Sequence, residues 1–261
     1  MRSLATILFS CSFLVVGFGG GKSGVQPPAC PVGPIMAFES GERSRCGEAR
    51  GVLTSETLRG KSYESDRKGE RKSSFHVDPK RPPESRSRRD DFFHSGYDIG
   101  HQAAAAWYGL QELKDRTFSF ANTAPMHPKL NRGLWRVIEN GIASEAESGA
   151  TVWFRVTPLW LPDKDGDICF RTLGRHAVWV PTHFGASIYA ERSDGSQLMR
   201  SWIVPNQAPP DKAKPADYLA TVDEHEFWRG VDFFAWLDDD VERRLEASGR
   251  DVERSLEASG R

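Results

Sequence analysis

The hydrophobic pattern is most regular in the middle of the chain. Leu134, Trp135, Ile138 and Ile142 fall at i, i+1, i+4 and i+8, one face of an amphipathic helix. Asn131 stands just ahead and can cap this helix, and Gly149 ends it. The β-branched and aromatic run Thr151-Val152-Trp153-Phe154-Arg155-Val156 predicts a strand, and similar runs over 177–184, 186–189 and 201–206 predict others. Upstream, Phe92, Phe93 and Tyr97 read as a strand leading to His101, and Thr117-Phe118-Ser119-Phe120 alternates like a second. Pro125 and Pro128 make 122–128 turn chemistry. A further helix is expected from about Val222 to Gly230, with Phe233, Phe234 and Trp236 closing over the core.

The ends differ from this middle. After Met1-Arg2, the stretch Leu4 to Phe18 is uncharged and largely apolar, and Gly19-Gly20-Gly21 follows. The run is shorter than the ~20 residues of a membrane-spanning helix and suits a signal-peptide core. The division expected is a signal peptide over 1–20, a lead-in over 21–34, one folded domain over 35–239 and a tail over 240–261. In the tail, Asp240–Arg250 is repeated as Asp251–Arg261, with Ser255 in place of Arg244. A secreted or periplasmic protein is expected, with no membrane attachment once the signal is removed. An oxidising compartment permits a disulfide of Cys30 with Cys46 or with Cys169. No C-x-x-C pair exists, which argues against a cysteine zinc site.

Charge changes the picture only locally. Thirty-five Lys+Arg against 36 Asp+Glu give a formal charge of -1, so the chain as a whole is not basic. Between Arg59 and Arg89, however, Arg and Lys outnumber acids among serines and prolines, which suits the rim of a polyanion site. Asp163-Lys164-Asp165-Gly166-Asp167 carries calcium-loop residue types, but Gly174 stands where an EF-hand needs glutamate, so it reads as a turn. Hydrophobic content of 38%, with eight Trp and fifteen Phe, is enough for a sizeable core.

The candidate chemistry lies between Tyr97 and Glu139. Hydrolysis of a phosphodiester needs a deprotonated water and charge neutralisation at the phosphate. His101, after Gly100, can be the general base near neutral pH. Asn131 offers a hard oxygen to a cation such as magnesium, which keeps several waters. Glu139 can orient water on that ion, and Asn122 can hold the constellation together. Asn131 and Glu139 are eight residues apart, ~12 Å along a regular helix, so both need not contact one ion.

These residues carry a resemblance. Asp98, Gly100 and His101, then Asn122 with Pro125, then Asn131, Gly133 and Trp135, then Glu139, resemble in order and spacing the motifs of the DNA/RNA non-specific endonucleases, the ββα-metal or His-Me finger nucleases. Val180-Pro181-Thr182-His183-Phe184 and Ile203-Val204-Pro205-Asn206 look like the family's late strands. The resemblance implies an α+β fold, a central antiparallel sheet with helices on its faces and the site at one sheet end. It implies a Mg2+ enzyme, with Mn2+ as the alternative, acting on DNA and RNA to leave 5′-phosphorylated ends. Asp98 is then structural. Arg71 or Lys72 stands for an upstream family arginine, and Arg132 is a further nucleic-acid contact. A homodimer is compatible with these features, and no residue speaks for or against an inhibitor protein. The family's arginine between Asp98 and Gly100 is Ile99 here. That departure supports a rival reading, a nuclease fold that binds nucleic acid with weakened turnover.

Overall fold

The computed structural model describes residues 54–59, 74–79, 83, 86–108 and 111–247, with side chains from 74 onward except 112 and 113. The expected signal, the lead-in, Cys11, Cys30, Cys46, Arg71, Lys72 and the second tail repeat lie outside these residues. Among the described residues, five strands form one antiparallel sheet: β1 (Thr54–Arg59), β4 (Thr151–Leu159), β7 (His183–Glu191), β8 (Gln197–Pro205) and β9 (Leu219–Ala220), in the order β1-β4-β7-β8-β9. A separate two-stranded antiparallel ribbon pairs β2 (Asp98–His101) with β3 (Thr123–Met126). A small hairpin pairs β5 (Thr172–Leu173) with β6 (Val178–Trp179). The helices are α1 (Arg89–Phe92), α2 (Gln111–Thr117), α3 (Trp135–Glu147) and α4 (Val222–Arg229), and residues 239–247 are also helical. The α+β expectation holds.

Period-2 alternation divides the sheet into two buried faces. Val152, Phe154 and Val156 of β4, Phe184, Ala186 and Ile188 of β7, and Trp202 and Val204 of β8 pack in one cluster with Trp135, Ile138 and Ile142 of α3. Each large side chain fully removed from water contributes on the order of 1.5–3 kcal/mol, and the apolar stripe read from the sequence is the one buried. The intervening residues face α4 and the chain beyond it, where Tyr189, Met199, Phe233, Phe234 and Leu245 form a second cluster. Arg155 lies on this face. It is buried, donates to the Phe233 carbonyl at 2.7 Å, and sets its guanidinium 5.5 Å from the Phe234 ring centroid.

α4 docks through a polar contact. His225 is fully buried, with Thr157 Oγ1 at 2.6 Å from Nε2 and Ser187 Oγ at 2.8 Å from Nδ1. Ser187 in turn meets Ser201 Oγ at 2.7 Å. The ring fits because β7 has Gly185 beneath it: a Cβ there would lie 2.1 Å from Nε2.

Several local expectations need correction. Phe92 is helical and Phe93 is exposed, so β2 begins only at Asp98. Asp91 accepts the Arg88 N–H at 2.8 Å, and this local bond turns the chain where aromatic content suggested strand. The 117–120 alternation yields only a single parallel bridge from Ser119 to His76, because α2 runs to Thr117 and a 3₁₀ turn takes Phe120–Asn122. The 122–128 stretch is not all turn. Pro125 sits in β3, a strand with one partner, where a missing N–H is tolerated. Pro128 opens a helical turn instead of blocking one. Asn131 therefore lies inside a helical turn and is not its cap: its N–H donates to the His127 carbonyl at 2.9 Å.

His225 makes stability depend on pH. Burial pushes its pKa down to about 3, and the Arg229 cation adds to this. The unfolded ring titrates near ~6.5. The neutral ring's contribution is therefore complete above about pH 6.5 and is lost as pH falls from there toward about 3, by up to ~1.4 kcal/mol per pH unit. Chemical denaturation across this range should show that slope, reduced in His225→Gln; equal slopes would rule out His225 as its source.

Candidate active site

A cleft of about 490 Å³ opens between the β2–β3 ribbon and α3. Its walls include Ile99, His101, Asn131, Arg136 and Glu139. Among the described side chains none from the five-stranded sheet lines it; the ribbon and the helix carry it, in place of the expected sheet end. The reason is register. In β2, Ile99 and His101 point to one face and Asp98 and Gly100 to the other. Gly100 lies so close to β3 that a Cβ there would be 2.6 Å from Met126 Cβ. The ribbon is thereby pressed together, and His101 is presented on its open face.

The His101 ring is held by aromatic contacts. Phe75 lies 5.2 Å away, and Phe118 meets it edge-on at 5.1 Å. The segment carrying Phe75 is fastened by His76, which donates to the Phe118 carbonyl at 3.0 Å and accepts from Phe120 N–H at 2.9 Å. Behind the histidine, Asn122 is fully buried. Its Oδ1 accepts the Ala103 N–H at 2.9 Å, and its Nδ2 donates to the Ala103 and Thr117 carbonyls at 3.0 and 2.9 Å. Asn122 thus fixes the turn after β2 and has no face in the cleft. It is a positioning residue.

Asn131 and Arg132 lie in a widened π-helical turn, Leu130–Leu134, which kinks at Gly133 (φ -113°, ψ -107°) before α3 begins. Such turns depart from the regular ladder and re-aim side chains. Here they aim at Asp98. Asn131 Nδ2 donates to Asp98 Oδ2 at 2.9 Å, while Arg132 Nε and Nη2 donate to Oδ2 and Oδ1 at 2.8 and 2.6 Å. Burial alone would raise the Asp98 pKa, but the hydrogen bonds from Arg132 and Asn131 outweigh it and hold the carboxyl below its ordinary value. With its N–H committed to Asp98, Asn131 has its amide oxygen left for the cleft. Arg132 is expected from sequence to touch nucleic acid; its side chain is 72% exposed but tied to this carboxylate.

Glu139 reaches the same cleft from α3. The Trp107 indole donates to the Glu139 backbone carbonyl at 3.0 Å, locking the 3₁₀ turn Ala105–Trp107 onto the helix. Burial pushes the Glu139 carboxyl up to about 8, offset in part by the Arg136 cation and the Trp135 indole. A carboxyl so desolvated gains from a cation beside it. Among the described residues no group of three or more His, Cys, Asp or Glu could cage a metal. An amide oxygen and one carboxyl on a shared cleft nevertheless suit a hard cation that keeps most of its waters. The residues present fit that group, with Asn131 and Glu139 as the side chains that would hold it.

Some contributors were not read from the sequence. Arg136 and Asn140 line the cleft, and Phe75 and Phe118 wedge the histidine. Asn206 anchors the ribbon to the main sheet: Oδ1 accepts the His127 N–H at 2.8 Å, and Nδ2 donates to the Pro125 and Pro181 carbonyls, each at 2.9 Å. The i, i+3 spacing of Arg136 and Glu139 was the available signal for the arginine; the Asn206 anchor had none.

Two strands, a helix, and a histidine facing an asparagine and a glutamate define a ββα-metal nuclease domain. The chain belongs to the DNA/RNA non-specific endonuclease family, whose model matches residues 44–240. It is 34% identical over 177 residues to Endonuclease G, mitochondrial, of Bos taurus, covering 65% of this chain and 58% of that protein. It is 33% identical over 187 residues to the Homo sapiens protein of the same name, covering 69% and 61%. The chain therefore spans about three-fifths of these relatives' length. A crystal structure of an EndoG/EndoGI complex superposes with a TM-score of 0.67 at 29% identity, covering 71% of this chain and 79% of that one.

These relatives overturn the expected secreted or periplasmic location, since both are named as mitochondrial. That expectation rested on one arginine and an apolar run, which report hydrophobicity and not destination. No helix among the described residues is long and apolar enough to cross a membrane.

If Asn122 holds the turn behind His101, Asn122→Ala orphans a buried N–H and loosens two carbonyls. At ~1–3 kcal/mol for an unsatisfied buried group, the urea midpoint should drop by the equivalent of more than ~2 kcal/mol. An unchanged midpoint would mean that water replaces the side chain at no cost.

Proposed function

We propose that this chain is a metal-dependent endonuclease that hydrolyses phosphodiester bonds in DNA and RNA with little sequence preference. The observation that carries the reading is the convergence of His101, Asn131 and Glu139 on one cleft from separate elements. The family description supports the substrate class.

In this reading His101 takes a proton from water as the water oxygen bonds to phosphorus. The P–O3′ bond breaks, the 3′ oxygen leaves and takes up a proton from solvent, and the phosphate stays on the 5′ end. Phe75 and Phe118 keep the imidazole facing the reacting phosphate. Asn131, aimed by Asp98, would hold a hard divalent cation, magnesium with manganese as the alternative, and Glu139 would orient water on it. When bound, that cation neutralises charge on the phosphate and on the departing oxygen. Asn122 keeps the histidine's turn in register.

One observation favours a second reading. Ile99 shares the cleft with His101 and brings an apolar wall where the family motif brings a cation. A nuclease fold kept for binding, with weakened turnover, would follow from that loss.

Plasmid nicking and RNA degradation by the purified chain separate the two. Activity with Mg2+ that EDTA removes, and that His101→Ala lowers by at least ~100-fold, is the expected outcome. A silent wild type that binds DNA and becomes active as Ile99→Arg would establish the second reading. Full activity in His101→Ala would overturn the role of the histidine.

A further inference from the structure

Two cations line the cleft among the described residues, Arg132 and Arg136, and they are not equivalent. Arg132 is engaged. Its two-pronged bond to Asp98 belongs to the frame that also aims Asn131. Moving Arg132 onto a substrate phosphate would break that frame at the moment Asn131 is needed. Arg136 stands four residues on, exposed, on the first turn of α3. It forms no hydrogen bond or salt bridge with another described residue, and its electrostatic neighbour is Glu139. The pair is spaced i, i+3, so both side chains rise from one helix face. The opposite wall is β2, where Ile99 offers no donor.

Hydrolysis of a phosphodiester builds negative charge on the non-bridging oxygens as water adds. A guanidinium suits them, because its planar fork gives two parallel N–H···O bonds that an ammonium cannot. We propose that Arg136 binds the non-bridging oxygens of the scissile phosphate and carries the charge that develops there, supplying from α3 what Ile99 cannot supply from β2. The proposal rests on the phosphodiesterase reading above. It makes Arg136 a catalytic residue and not a general attractor of polyanions. Arg132 keeps the architectural part.

The test is steady-state kinetics with Mg2+ on two substrates, plasmid DNA and a small bis-aryl phosphodiester with a single phosphate. Because Arg136 is exposed and outside the packed core, its variants should melt within a few degrees of the wild type. Removing one donor aimed at developing charge typically costs ~10²–10³ in kcat. Arg136→Ala should therefore lose about 100-fold in kcat on both substrates, with KM changed by less. Arg136→Lys should regain only part. Adding Ile99→Arg to Arg136→Ala should restore activity from the facing wall. A remote steering role would instead raise KM on DNA, flatten the salt dependence and spare the small diester; that result overturns the proposal. So does an active wild type whose kcat is unchanged by Arg136→Ala. A folded wild type that cleaves neither substrate overturns the nuclease reading, and this proposal with it.

Discussion

The carboxylate of Asp98 is the point on which the site depends. It is the first residue of a short strand, yet its three hydrogen bonds go to a helical turn more than thirty residues away. Among the described residues no backbone ladder joins the β2–β3 ribbon to α3, and this side chain is one of those that tie them together. It selects which end of the Asn131 amide faces the cleft and it immobilises Arg132. The hydrogen bonds from Arg132 and Asn131 hold the carboxyl below its ordinary value against the opposing effect of burial. The kink at Gly133 is what brings Asn131 and Arg132 round to meet it.

The main sheet serves this arrangement from a distance. Its α3 face gives Trp135, Ile138 and Ile142 of the helix a dry bed of Val152, Phe154, Phe184 and Ile188, so that Glu139 and Arg136 project from a fixed cylinder. The other face is organised differently, around buried polar groups. His225 bridges Thr157 and Ser187, and Arg155 reaches the Phe233 backbone. Buried hydrogen bonds add little net stability when satisfied but cost much when broken. They therefore fix α4 and the aromatic cap in one register.

The parts legible in the sequence were those with a strong period or a spaced motif. The stripe on α3, strand β4 and the stop of α4 at Gly230 were anticipated, whereas β7 was expected as two strands, 177–184 and 186–189, and β8 only from Ser201. His101, Asn131 and Glu139 do meet in one cleft. What could not be read were elements decided by one side-chain bond. Asp91 makes a helix from an aromatic run, and Asp98 turns Asn131 from a cap into an aimed amide. Pro125 and Pro128 misled because a proline in a singly paired strand, or at the start of a helix, loses nothing. The expected location was wrong for another reason: hydrophobicity does not encode an address.

The ribbon that carries His101 has its own consequence. It is a two-stranded unit set apart from the five-stranded sheet, and side chains such as Asp98, Trp107 and Asn206 fasten it in place. Robustness and catalytic competence are therefore written in different residues. Drift in the sheet core erodes folding while the geometry around the histidine survives, and the loss of one fastener spoils that geometry in a protein that still folds.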